Sequence, residues 1–304
     1  MDALWSQADA CGRFDARGEH GGQAIRIDVP LVLPGDAIAG ASAPQRVTGL
    51  LRNVFPLAGA ADGLQVVFAF PNPKKDDKKH LKAPQDLGFK ERVPAFLQWA
   101  LLRLQHASTD TPAPVRLTML AAGEPDLAMQ ANDWDARYCG ADTAKRAAME
   151  ADLRRRLRAL IELMRMGREG TSWFHPKSGW AALQAQQGVP KKAKGKQGEA
   201  EAEKDADCAD EPSAEAAAQQ SREAAIAKAV RGKWVSESGQ GVGERDYAPG
   251  YAQLLEGDLI FGDPDTDPDS RALHALLQDA QAIHGLILLG DGDASPANAS
   301  EEAA

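Results

Sequence analysis

Few residues in this chain have the types and spacing that make or break bonds. Gly241-Val-Gly243 is not followed by the rest of a dinucleotide-binding fingerprint, and no Gly-Lys-Ser/Thr phosphate loop occurs. A cradle for nucleotide phosphates is therefore missing. Asp263-Pro-Asp-Thr-Asp-Pro-Asp269 alternates carboxylates as a calcium loop does. An EF-hand loop, however, requires Gly at its sixth position and Glu at its twelfth, where Pro268 and His274 stand. The run reads as an acidic turn ahead of a helix, with Asp269 or Ser270 as N-cap. Six histidines (20, 80, 106, 175, 274 and 284) form no His-x-x-x-His pair, and there is no Gly-x-Ser-x-Gly elbow. Cys11, Cys139 and Cys208 lie far apart without a Cys-x-x-Cys pair, which points to reduced thiols rather than a disulfide framework or a zinc site. No catalytic residue and no metal ligand is assigned from motifs.

Basic side chains offer a different chemistry, contact with phosphate or with an acidic partner. Lys74 and Lys75 fall in a charged run, 71–82, with a basic excess. Arg154, Arg155, Arg158, Arg165 and Arg168 lie on a helix predicted over 149–168. Two readings stand for these arginines: a solvated face with i,i+4 charge pairs, which is preferred, or a stripe that contacts DNA or a partner. Trp173, Phe174 and Trp180 read as core or interface anchors before base-stacking platforms. The net charge of −9 and the pI near 5.2 oppose free-standing DNA binding, because phosphate neutralisation supplies most of that affinity. Contact with DNA would need a local patch or a larger assembly.

The elements that must position these residues follow from periodicity. Residues 2–17 read as a short helix. Residues 24–31 alternate apolar and polar with a period of two, as a half-buried strand does. Residues 33–45 read as a loop, 47–55 as a second strand, 59–63 as a turn and 64–70 as a third strand, so strands two and three make a hairpin. A helix is predicted from Pro94, with Pro94 in its first turn and Phe96, Leu97, Ala100, Leu101 and Leu104 on one side. Residues 115–120 read as a fourth strand. In the helix over 149–168, Leu153, Leu157, Leu160, Ile161 and Met164 make one apolar stripe, with Gly167 or Gly170 as its stop. Further helices are predicted over 224–234, 247–257 and 271–288.

The expected organisation is an α/β core over 1–187, a charged disordered insertion over 188–222, a C-terminal helical part over 223–290 and a flexible tail over 291–304. The insertion runs from basic (Lys191–Lys196) to acidic (Glu199–Asp207) and holds almost nothing apolar larger than alanine, so it cannot offset its ordering entropy. No apolar run approaches the ~20 residues of a membrane span, and no signal peptide opens the chain, so a cytoplasmic location is expected.

Several blocks, in order, resemble the RecC family, the gamma subunit of the RecBCD helicase–nuclease (exodeoxyribonuclease V). They are Phe96–His106, Leu157–Gly170 leading into Trp173-Phe-His-Pro-Lys-Ser-Gly-Trp180, Ala227–Trp234 and Gly243-Glu-Arg-Asp-Tyr-Ala-Pro-Gly-Tyr251. The resemblance spans roughly residues 25–290 and corresponds to the last part of a much longer family chain. It implies a PD-(D/E)xK nuclease-like fold without activity, RecB and RecD as partner subunits, DNA held within the complex, and ATP and Mg²⁺ used by the partners with no cofactor in this chain.

Active relatives of that fold place Gly-x-x-Asp on the second strand and Asp/Glu-x-Lys on the third. Here Gly49-Leu-Leu-Arg52 puts Arg52 at the metal-binding position, and Val66-Val-Phe-Ala-Phe70 offers Phe68 and Phe70 in place of carboxylate and lysine. A hard Mg²⁺ ion would find no oxygen shell there, and a guanidinium would repel it. Arg52, Phe68 and Phe70 are therefore expected to mark a vestigial site, with Phe68 or Phe70 filling the old metal pocket. Two other readings remain: an active Mg²⁺-dependent nuclease using other carboxylates such as Asp28 and Asp62, or a stand-alone interaction protein.

Overall fold

A computed structural model describes residues 23–33, 45–70, 81–107, 111–169, 174–188, 214–235, 243–247 and 271–289. It has mixed α/β architecture, and the chain forms two compact units. The first comprises residues 1–171 and 283–304, the second 172–282. This division differs from the boundaries expected at 187 and 223.

The first unit is built on a four-stranded sheet of β1 (Gln23–Pro30), β2 (Arg46–Pro56), β3 (Leu64–Ala69) and β4 (Val115–Leu120), in that spatial order. The β1–β2 and β2–β3 pairs are antiparallel, and β3–β4 is parallel. The expected hairpin thus forms, with Val54 opposite Val66 and Pro56 opposite Leu64. Period-two alternation sends Ile27 and Val29 into the core while Arg26 and Asp28 stay exposed. The β1–β2 register slips between Gln23 and Ile25, where β2 carries one extra residue and Asn53 adopts φ 62°. Asparagine tolerates this left-handed geometry better than most residues, and the bulge lets Leu51 and Val54 both reach the core.

Parallel pairing of β3 with β4 requires a crossover. Helix α1 (Phe89–Gln105) supplies it and buries Ala95, Phe96, Trp99, Ala100 and Leu102. It starts five residues before the expected Pro94, which sits inside it. The start is set by Gly88, whose backbone N–H donates to Glu91 Oε2 at 3.1 Å, with Glu91 also paired to Lys82 at 2.7 Å. Pro94 is tolerated on the exposed face despite the lost backbone donor.

Two helices follow. Helix α2 (Asp126–Gly140) was not expected from the sequence. Helix α3 (Thr143–Glu169) contains the predicted 149–168 but begins six residues earlier, and it ends before Gly170 rather than at Gly167. Its apolar stripe is only half buried in fact. Leu153 and Leu157 are in the core, Leu160 and Ile161 are partly covered, and Met164 is 58% exposed.

The second unit contains α4 (Pro176–Gln186), α5 (Ala214–Trp234), the single-turn α6 (Glu244–Tyr247) and the start of α7 (Arg271–Ile287), within which the division between units falls. Ala182, Ile226, Ala227, Val230, Ala272, Leu273 and Leu276 make its core. Helix α5 corrects the expected insertion, because 214–222 are helical. Alanine, glutamine and glutamate there are strong helix formers whatever their burial. The rest of the insertion (189–213), the helix expected over 2–17, nearly all of that expected over 247–257, and the tail lie outside the described residues. No helix among the described residues is long and apolar enough to cross a membrane.

Candidate functional site

The residues expected to mark a vestigial nuclease site are only partly brought together. Phe68 and Phe70 stack, with ring centroids 6.3 Å apart and planes 4° from parallel, and both are half-buried. Arg52 lies beside the bulge at Asn53, beyond the last β2–β3 pair at Val54 and Val66, and its side chain is exposed. The alternative carboxylates do not converge. Asp28 sits opposite Thr48 and is held by Arg46 through bonds of 3.0 and 2.7 Å. Asp62 is in the turn beyond Pro56, and the strand from 48 to 56 spans about 26 Å. Among the described residues no group of three or more His, Cys, Asp or Glu could hold a metal ion.

Most of the arginines of α3 are neutralised on their own helix. Arg154 pairs with Glu150 at 3.1 Å, Arg155 with Asp152 at 2.8 Å, and Arg165 with Glu162 at 3.1 Å. The Arg155 and Arg165 pairs, at i,i+3, are those of a solvated face, whereas Arg154 and Glu150 are largely covered and Glu150 also accepts the Tyr138 hydroxyl at 2.6 Å. Arg168 is exposed, Arg158 is half-buried, and Lys74 and Lys75 lie outside the described residues. Arg156, which the sequence did not single out, does more than any of them. It pairs with Asp152 at 2.7 Å and donates to the carbonyls of Gly285, Leu286 and Leu288 at 3.1, 3.2 and 2.6 Å. A cation thus closes the C-terminus of α7, where backbone carbonyls are left without helical partners.

In the second unit, residues distant in sequence meet at the start of α4. Both oxygens of the Glu244 carboxylate accept backbone N–H bonds, from Lys177 at 3.0 Å and Ser178 at 2.8 Å. Those N–H groups belong to the first turn of α4, so an acid 66 residues away caps the helix and meets its positive dipole end. The buried His175 ring lies 4.7 Å from that of Trp234, and the Lys177 ammonium lies 4.7 Å above the Tyr247 ring. Gly243 passes so near Trp234 that a Cβ would collide with its carbonyl oxygen. Asp246 accepts the Gly243 N–H at 2.7 Å and fixes this turn. Burial holds the His175 imidazole below its ordinary pKa, against the opposing pull of Glu244.

Histidine, serine and a carboxylate side by side invite a catalytic reading, which the geometry rules out. Ser178 is fully buried and so cannot meet a substrate. Glu244 spends both oxygens on backbone amides. The junction is architecture. Trp180 is half-buried, and Phe174 packs against Gly179, in keeping with anchor roles; Trp173 lies outside the described residues. No family model, curated protein or solved structure matches the chain.

The first unit has a comparable buried network, also not anticipated. Arg103 donates to Asp135 at 3.0 Å and to the carbonyls of Ala113 and His106, and its guanidinium lies 4.5 Å over the Tyr138 ring. Asp135 also accepts the Val115 N–H at 2.8 Å. Burial pushes the Asp135 carboxyl above its ordinary pKa, and Arg103 opposes that shift.

Proposed function

We infer that the chain is a non-catalytic, nuclease-like part of a RecC-type subunit that scaffolds RecB and RecD and guides DNA strands during break repair and recombination in the cytoplasm. One observation carries the reading. Two blocks of the RecC resemblance, His175-Pro-Lys-Ser178 and Gly243-Glu244, lie 66 residues apart yet meet in one buried junction through the bonds of Glu244. Blocks that serve one structural purpose are what an inherited framework would preserve.

The strand–strand–strand–helix–strand order of the first unit agrees with a PD-(D/E)xK core. On that reading Arg52 would stand in place of the metal-binding aspartate and Phe68 and Phe70 in place of carboxylate and lysine, which supports an inactive site. The competing reading, a nuclease using Asp28 and Asp62, is disfavoured by their separation and by the Arg46 pair. ATP and Mg²⁺ then belong to the partner subunits.

Co-expression with RecB and RecD from the same source tests the proposal. A stable complex, together with no ATP hydrolysis and no Mg²⁺-dependent cleavage by the chain alone, is expected. Failure to co-purify, or cleavage abolished by changing a single carboxylate, would overturn it.

A further inference from the structure

Among the described residues, the outer edge of β4 is closed by side chains at one end and left without a partner at the other. In the parallel β3–β4 ladder, residues 114, 116, 118 and 120 direct their backbone groups to β3, as the Leu64 N–H to Pro114 and Phe70 N–H to Leu120 bonds show. Residues 115, 117, 119 and 121 therefore turn theirs outward. The Val115 N–H goes to Asp135 at 2.8 Å, and its carbonyl accepts Trp99 Nε1 at 2.9 Å. Asn132 takes both groups of Leu117, accepting its N–H at 2.9 Å and donating to its carbonyl at 3.1 Å. At Met119 this pattern stops. Among the described residues, no partner meets the outward N–H and carbonyl of Met119 or the N–H of Ala121.

A cavity of about 340 Å³ lies where those partners would be, lined among others by Arg116, Met119, Ala121, Glu124, Ala128 and Asn132. That volume is at the lower end of the ~300–1,000 Å³ typical of ligand sites. Gly123, at φ 140°, lies between β4 and α2 and is among the cavity's lining residues.

We propose that this cavity binds a short extended peptide segment of a partner protein, which adds two or three residues to the sheet alongside Met119–Ala121. A donor, an acceptor and a second donor at strand spacing match a peptide backbone and its repeat of two residues. Unmet backbone groups on a strand edge are the usual template for such pairing. Asn132 and Asp135 limit the register, because they already occupy the edge at 117 and 115. Arg116 and Glu124, both exposed at the cavity, are placed to select among side chains of the incoming segment. The proposal stands on the β4 edge alone and does not depend on the RecC reading.

The test uses the full chain and a sequence-neutral probe, N-acetyl-dialanine N′-methylamide, titrated while the amide signals of 115–121 are followed by NMR. Saturable shifts at Met119 and Ala121 are expected, with Val115 and Leu117 little changed. A probe whose amide nitrogens are all methylated should bind at least tenfold more weakly, since it cannot donate to the Met119 carbonyl. Ala128→Leu, which fills the cavity, should abolish binding; should that variant fail to fold, the comparison of the two probes still decides. Equal binding of both probes, shifts elsewhere, or no saturable shift up to the solubility limit would overturn the proposal.

Discussion

Arg103 and Asp135 form an ion pair of 3.0 Å with the arginine side chain fully enclosed and the aspartate 6% exposed. Few chains bury a guanidinium so completely, and the reason lies in what the pair holds. Asp135 fixes the Val115 backbone, and Arg103 fixes the carbonyls of His106 and Ala113, so together they tie α1, α2 and β4. Removing one partner leaves the other as an uncompensated buried charge. Asp135→Ala is therefore expected to lower the unfolding free energy by about 3–5 kcal/mol. Equilibrium urea unfolding of the variant measures this directly, and a loss under ~1 kcal/mol would show that the pair is dispensable.

The capping of α4 makes a distinct prediction. Glu244→Ala deprives two first-turn N–H groups of their acceptor and should cost about 1–2 kcal/mol, as loss of a strong N-cap does. Hydrogen exchange at Lys177 and Ser178 should accelerate, while that of β4 stays unchanged. Gly243→Ala should be at least as damaging, because the added methyl collides with backbone rather than a side chain that can rotate.

Three histidines set a pH dependence. Burial lowers the pKa of His106, His175 and His284; Arg103 adds to the effect at His106, and Arg92 adds to it at His284 against the opposing pull of Asp126. In each case the unfolded chain takes up a proton first, near its ordinary value of about 6.5. Stability is thus complete above that value and declines as pH falls below it. The urea midpoint should be lower at pH 5.5 than at pH 7.5. Replacing all three by asparagine should flatten that difference; an unchanged slope would assign it to other groups.

The arginines of α3 should separate into two classes. Arg155 and Arg165 are more than half exposed and pair only within their helix, so alanine there should cost no more than about 0.5 kcal/mol. Arg156→Ala removes the cation that serves three carbonyls at the end of α7, and about 1–2 kcal/mol is expected. Thermal unfolding of the three single variants checks the ranking, and equal effects would refute it.

Much of the fold was legible from residue order. The four strands appeared where the sequence placed them, β1 from its period-two alternation and β3 from a continuous apolar run of which Gln65, Val66 and Val67 are buried in succession. Helix α7 was equally plain from Leu273, Leu276, Leu277 and Ile283. Helix α2 was not legible. Its buried apolar face, Leu127, Ala128, Ala131, Trp134 and Tyr138, has helical spacing but includes two alanines, and Asn132, Asp133 and Asp135 between them are weak helix formers. Those same polar residues are there for a tertiary reason, since Asn132 and Asp135 close the β4 edge and Asp135 meets Arg103.

The sequence by itself therefore determined the strands, the amphipathic helices α3 and α7 and the lack of a Gly-Lys-Ser/Thr motif, all of which depend on neighbours within a few residues. Only the tertiary structure decided that Glu244 caps α4, that Arg156 rather than its neighbours serves α7, and that no described residue pairs with the outer edge of β4 at Met119. Each of these rests on a backbone group meeting, or failing to meet, a side chain from a distant part of the chain. Local periodicity carries no information about such a meeting.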